Sequence, residues 1–98
     1  MCGIFGIQTS KKNLNIKNIC FKADRALLHR GPDDGKVWFN KSTGLVHRRL
    51  SIIDLKNGSQ PMISANNRYI IIFNGEIVNY KSLQDQFLSH RNLKTNSD

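Results

Sequence analysis

Met1-Cys2-Gly3-Ile4-Phe5-Gly6-Ile7 opens the chain. Residues 4–7 are apolar apart from Gly6, and Gly3 and Gly6 punctuate the run. This pattern predicts a short buried strand at the very start of the molecule. The thiol just before it admits two readings. Loss of Met1 would make Cys2 the first residue, with its thiol and its own α-amine within reach of each other. That amine has a reference pKa of about 7.7–8.0, so much of it is free base at neutral pH. A nucleophile activated by an N-terminal amine is an established catalytic arrangement. Alternatively, Cys2 is a small apolar residue beginning a strand, and buried thiols are usually inert.

Outward from this strand, residues 9–15 are polar and loop-like. Ile16, Ile19, Cys20, Ala23, Ala26 and Leu27 fall at helical spacing and predict an amphipathic helix to about Leu28. His29-Arg30-Gly31-Pro32-Asp33-Asp34-Gly35 ends it, because Pro32 and the two glycines break regular structure. Residues 36–39 read as a strand, 40–44 as a turn and 45–50 as the returning strand. Residues 51–55 continue as extended chain and Lys56-Asn57-Gly58 turns it. Pro61-Met62-Ile63 and residues 69–73 predict a second hairpin around Asn66-Asn67. Tyr69-Ile70-Ile71-Ile72-Phe73 is apolar on both faces, which predicts a central strand. Asn79 can cap a helix from Tyr80 to about Leu88, with Leu83, Phe87 and Leu88 inward. The order is α+β with hairpins, and the strands need a further layer to cover their second face.

The 98 residues allow one domain at most. With 15 Lys+Arg against 7 Asp+Glu, the net charge is +8 and the pI about 9.9. Such a balance raises the possibility of a small nucleic-acid-binding protein. The distribution argues against it. The densest basic groups are the pairs Lys11-Lys12 and Arg48-Arg49, with no basic stripe interleaved with aromatics. No apolar run approaches the ~20 residues of a membrane span. The two cysteines, Cys2 and Cys20, make no disulfide scaffold. His29, His47 and His90 are far apart and match no zinc-site spacing, so no metal is expected. No signal peptide is evident, and the expected compartment is a reducing cytoplasm.

Three further features carry chemistry. Asn74-Gly75 ends the predicted central strand, and a side-chain amide beside an unhindered backbone N–H can supply two donors to an oxyanion. An Asn-Gly pair is also a common turn. Glu76, two residues on, fits a substrate ammonium or a solvated charge. Arg48 and Arg49 alternate across their strand and point to opposite faces. One can be solvated while the other reaches into a site, where a guanidinium fork suits a carboxylate. Asp33 and Asp34 form a carboxylate pair, but their Gly/Pro loop favours a structural role.

Five blocks, in order, resemble the N-terminal glutaminase domain of glutamine-hydrolysing asparagine synthetases, the class II glutamine amidotransferases. They are Met1-Cys2-Gly3-Ile4-Phe5-Gly6; His29-Arg30-Gly31-Pro32-Asp33-Asp34-Gly35; His47-Arg48-Arg49-Leu50-Ser51-Ile52-Ile53-Asp54; Gln60-Pro61-Met62; and Phe73-Asn74-Gly75-Glu76-Ile77-Val78-Asn79-Tyr80. Asn96-Ser97-Asp98 looks like the start of a sixth. The resemblance spans the chain. It implies an N-terminal-nucleophile hydrolase fold, a four-layer αββα sandwich. Cys2 would attack the glutamine side-chain amide, with its own α-amine as base through a water. Asn74 and the Gly75 N–H would form the oxyanion hole. Arg49 would hold the substrate α-carboxylate, and Glu76 and Asp98 the α-ammonium. Backbone groups of Leu50, Ser51, Ile52 and Ile53 would line the pocket. Residues 30–33 would frame the site. The glutaminase half would need no cofactor; ATP and Mg would belong to a synthetase domain that uses the ammonia to make asparagine from aspartate.

Two departures follow from the same comparison. Val78 stands where the family usually has Tyr. The family's glutaminase domain is also about twice as long, and no Ser-Gly-Gly phosphate loop of a synthetase domain occurs here. Residues 1–98 are therefore expected to be the N-terminal half of the sandwich: a fragment, a truncated product or one half of a split protein, completed by a second chain or domain. The competing expectation is an inactive remnant or interaction module of the same family.

Overall fold

Helix α1, Ile16–Ala26, forms where the apolar spacing predicts it. The computed structural model describes residues 2–50 and 58–93. Asn15 caps α1, its side chain accepting from the Asn18 N–H at 3.0 Å, a contact worth about 1 kcal/mol. Residues 27–30 continue as turns, with the Arg30 N–H donating to the Leu27 carbonyl at 2.9 Å. Regular helix thus stops at Ala26, short of Leu28, as the chain tightens before Gly31 and Pro32.

Strands β1 (Gly3–Gln8), β2 (Asp34–Phe39) and β3 (Thr43–Arg49) form an antiparallel sheet in the order β1-β3-β2. Both β2 and β3 begin two residues before the apolar pattern does. The turn between them is shaped by Asn40, whose side-chain oxygen accepts from the N–H groups of Ser42 at 2.9 Å and Thr43 at 2.7 Å. The register pairs Gly3 and Gly35 with Arg48, and Phe5 and Val37 with Val46. Alternation then divides the sheet. Phe5, Ile7, Val37, Gly44, Val46 and Arg48 face α1. Ile4, Asp34, Lys36, Leu45, His47 and Arg49 share the second face.

The core lies between α1 and the first of these faces. Ile16, Cys20 and Val46 are buried, and Phe5, Ile7, Ala23, Leu27 and Val37 pack around them. Burial pushes the Cys20 thiol pKa up, which keeps it neutral and inert. At Gly44 the α1 face meets the helix so closely that an added Cβ would lie 2.2 Å from Cys20 Sγ. β1 is buried on this side only. Ile4 is exposed, which corrects the expectation of a fully buried strand.

The second hairpin is much shorter than its sequence predicts. Only β4 (Met62–Ile63) and β5 (Ile70–Ile71) pair. Their loop turns at Asn67, with φ at 57°, and is closed by the Ser64 N–H donating to the Tyr69 carbonyl at 2.9 Å. The Gln60–Pro61 peptide bond is cis. Tyr69 and Ile71 are exposed, so this run is not a central strand: among the described residues its one strand neighbour is β4. Helix α2, Tyr80–Phe87, follows, and Asn79 makes no side-chain cap bond. α2 packs against none of the other described elements. Leu83 is exposed and Phe87 is 67% exposed, contrary to their predicted inward placement. Two-layer packing of α1 on an antiparallel sheet, plus this second hairpin, makes the described chain α+β. No helix among the described residues is long and apolar enough to cross a membrane.

Candidate functional site

The second sheet face gathers the chemistry. Cys2 directly precedes β1, and one further step of the antiparallel register sets it opposite Arg49. Its thiol lies at the end of β3, where the Leu50 N–H donates to Sγ at 3.4 Å. The same sulfur lies 3.7 Å from the Leu50 carbonyl. Cys2 is half-buried, and its thiol is held against the Leu50 peptide groups.

Arg49 is 7% exposed, and its backbone is gripped by the loop between α1 and β2. Pro32 bridges to it in parallel fashion, and the Asp33 N–H donates to the Arg49 carbonyl at 3.0 Å. Gly31 makes this approach possible. A Cβ there would sit 2.3 Å from both Arg48 C and Arg49 N, backbone atoms with no freedom to retreat. The predicted framing loop thus fixes the strand end that carries Arg49 and Leu50. Asp34 starts β2 opposite Arg49 and accepts from the Ser59 hydroxyl at 2.5 Å. Asp34 thus stands on a strand, not in the Gly/Pro loop in which the sequence placed the carboxylate pair.

Arg48 points the other way, yet it is not solvated. It forms an ion pair with Asp24 of α1 at 2.7 Å. Neither arginine of the pair is therefore the surface charge that alternation alone allowed. Among the described residues, Asp24 Oδ1 and Arg48 Nε are buried with no hydrogen-bond partner, so the Nη2–Oδ2 contact carries most of this pair's compensation.

His47 connects the sheet to the second hairpin. It is 2% exposed, and its Nε2 lies 3.1 Å from the Phe73 carbonyl. Since a carbonyl only accepts, the proton is on Nε2. Burial pushes the imidazole below its usual pKa and the Arg49 guanidinium adds to this, while the Phe73 carbonyl and the Asp34 carboxylate act in the opposite sense. The Phe73 N–H is held as well, donating to Gln60 Oε1 at 2.6 Å. Asn74 and Gly75 follow directly. The Phe73 ring lies over Gly75, where a Cβ would meet its Cζ at 2.9 Å. Glu76 and Val78 beyond are exposed, Val78 at 89%.

The structure therefore brings Cys2, Arg49 and Leu50 to one strand end and ties the Asn74–Gly75 segment to the same sheet face through His47. Glu76 makes no ion pair among the described residues. Ser51, Ile52, Ile53 and Asp98 lie outside the described residues. The roles of His47 and Gln60 were not legible from the chain, although strand alternation puts His47 on the same face as Arg49. Among the described residues, no group of three or more His, Cys, Asp or Glu side chains is disposed to hold a metal ion.

Comparison with known proteins gives a consistent result. Residues 1–98 match the family described as "Glutamine amidotransferase domain". The chain is similar to asparagine synthetase B [glutamine-hydrolyzing] of Escherichia coli (strain K12), at 31% identity over 99 residues, covering 100% of this chain and 18% of the relative. It is 39% identical over 93 residues to asparagine synthetase [glutamine-hydrolyzing] 1 of Bacillus subtilis (strain 168), covering 88% of this chain and 14% of the relative. With asparagine synthetase [glutamine-hydrolyzing] 1 of Arabidopsis thaliana the identity is 32% over 99 residues, covering 100% and 17%. The chain thus spans less than a fifth of the length of these relatives.

Proposed function

From a chain that belongs to the glutamine amidotransferase domain family, we infer that the activity is hydrolysis of the glutamine side-chain amide. Cys2, freed of Met1, is the nucleophile. Its proton passes to its own α-amine through a water as Sγ attacks the amide carbon. The Asn74 side chain and the Gly75 N–H stabilise the oxyanion. The C–N bond then breaks, ammonia leaves with a proton, and water cleaves the γ-glutamyl thioester to release glutamate and restore the thiol. Arg49 holds the substrate α-carboxylate, and Glu76 and Asp98 the α-ammonium. Backbone groups of Leu50, Ser51, Ile52 and Ile53 line the pocket.

The observation that carries this reading is the position of Cys2 Sγ, held at the Leu50 N–H in a half-buried residue, at the strand end that carries the buried Arg49. A nucleophile and a fork for a carboxylate at one strand end are what a free amino-acid substrate requires. The complete fold in this proposal is the four-layer αββα sandwich, of which residues 1–98 form part, and glutamine is the small-molecule partner. The ammonia serves asparagine synthesis from aspartate in a cytoplasmic enzyme whose ATP- and Mg-using domain is a separate unit. No nucleic-acid or membrane partner belongs to this reading.

The test is the intact mass of the purified protein before and after a diazo-ketone glutamine analogue. Loss of Met1 with one adduct on Cys2, prevented by glutamine, is the expected outcome. The second reading is a chain that keeps the motifs without turnover, acting as an interaction module. It is favoured by the exposed apolar side chains of Tyr69, Ile71, Val78 and Phe87. Met1 removed with no adduct on Cys2 selects that reading.

A further inference from the structure

Phe73 is an odd residue in this molecule. It lies just beyond the β4–β5 ladder, so among the described residues no strand partner satisfies its peptide groups. Two side chains do so instead. His47 Nε2–H donates to its carbonyl at 3.1 Å, and Gln60 Oε1 accepts from its N–H at 2.6 Å. The two come from different parts of the chain, β3 and the segment before β4. The Phe73 ring in turn lies against Gly75. A residue pinned at both peptide groups and packed on Gly75 fixes the direction in which the next two residues leave it.

We propose that His47 and Gln60 are positioning residues that clamp the Phe73 backbone and thereby aim the Asn74 amide and the Gly75 N–H. The proposal rests on the amidotransferase reading for its catalytic consequence. Oxyanion donors act through preorganisation, so a small loss of aim lowers turnover while substrate affinity stays nearly constant. The buried ring keeps its role across neutral pH. The charged groups facing it are Arg49 on its own strand, with Asp34 and Lys36 on β2, and its burial favours the neutral form.

The test uses two independent pairs of variants in the purified protein. His47→Leu and Gln60→Leu each remove one arm of the clamp. His47→Gln keeps a donor for the Phe73 carbonyl, and Gln60→Glu keeps an acceptor for its N–H. Removing an oxyanion donor outright costs about 10²–10³-fold in kcat; losing its aim should cost roughly 10–100-fold, with KM within about threefold. The Gln and Glu variants should recover most of that loss. The Gly75 amide resonance in a proton–nitrogen spectrum should move in both Leu variants and stay near its wild-type position in the conservative ones. If His47→Leu does not fold, the Gln60 pair decides alone. The clamp is overturned by Leu variants with wild-type kcat and an unmoved Gly75 resonance, or by losses that the conservative variants share. Failure of the amidotransferase reading looks different: the wild-type protein shows neither turnover nor a glutamine-protected adduct on Cys2. In that case the Gly75 resonance still decides whether the clamp exists.

Discussion

Gly44→Ala should be among the most damaging single-methyl additions in this chain, and Cys20→Ala should rescue it. The added Cβ would stand 2.2 Å from Cys20 Sγ, 3.0 Å from Ile16 Cγ2 and 3.2 Å from Ile7 Cγ2, where ordinary contact begins at 3.4 Å. The sulfur must retreat by more than an ångström. It has nowhere to go, because Cys20 is fully buried between α1 and β3. Overpacking of this kind costs about 3 kcal/mol. Replacing a strand glycine recovers roughly 0.5–1 kcal/mol through the unfolded chain. Cys20→Ala alone removes one buried atom and leaves a small void, at about 1 kcal/mol. In the double variant the new methyl occupies the space the sulfur vacated. The residual strain is then the pair of tight isoleucine contacts, about 1 kcal/mol. The two changes should therefore couple favourably by about 3 kcal/mol, at the upper end of the usual range for touching residues. Urea midpoints for wild type, both single variants and the double variant measure this directly. Additivity within about 0.5 kcal/mol would refute the reasoning, because it would mean that the helix and sheet do not meet at this point.

Cys2→Ser should abolish glutamine-protected labelling by the diazo-ketone analogue and lower ammonia release by more than about 10³-fold, without changing the unfolding free energy from urea titration by more than ~0.5 kcal/mol. Arg49→Lys should raise the glutamine KM by about tenfold and change kcat less, since an ammonium cannot reproduce a bidentate fork on a carboxylate; equal KM values would remove Arg49 from substrate binding. Asp24→Ala leaves Arg48 unpaired at 17% exposure and should destabilise the fold by about 2–3 kcal/mol, below the ~3–5 kcal/mol typical of fully buried pairs. His47 has a folded pKa below its ordinary value, so the unfolded chain binds its proton first. Stability tied to His47 is therefore complete above the ordinary histidine pKa of about 6.5 and declines as pH falls below it. A series of urea midpoints from pH 8 to 5 should fall more steeply for wild type than for His47→Gln; parallel curves would place the pH dependence elsewhere.

The first sheet and α1 were legible because their signals are local. Ile16, Cys20 and Ala23 repeat at helical spacing, and Val37 and Val46 sit at alternating positions flanked by a turn. The boundaries moved where polar residues extend an element: Asp34 and Thr43 join their strands through backbone pairing, which apolar content does not register. The run 69–73 misled for the opposite reason. Five apolar residues in a row look like a strand covered on both faces, yet only Ile70 and Ile71 pair. Coverage is a property of neighbours: among the described elements β5 packs only on β4, and β3 reaches the run at its end, where His47 meets the Phe73 carbonyl. Leu83 and Phe87 failed on the same ground. At the site, Cys2 and Arg49 were visible as chemistry, and the register puts them side by side. The Asp24–Arg48 pair spans 24 positions and the His47–Phe73 bond 26, separations across which composition and periodicity carry no information.

The alternation in β3 has a consequence for how the strand finds its place. Gly44, Val46 and Arg48 face the helix, while Leu45, His47 and Arg49 face away. A slip by one residue would turn every one of them over. His47 and Arg49 would then be driven beneath α1 among Ile16 and Cys20, Val46 would be turned out, and Asp24 would lose its partner. A strand of plain valines and leucines would slide with far less resistance. The same polar side chains that equip one face for chemistry thus act as a key, admitting β3 to the sheet in a single alignment and rejecting its nearest mispaired rivals.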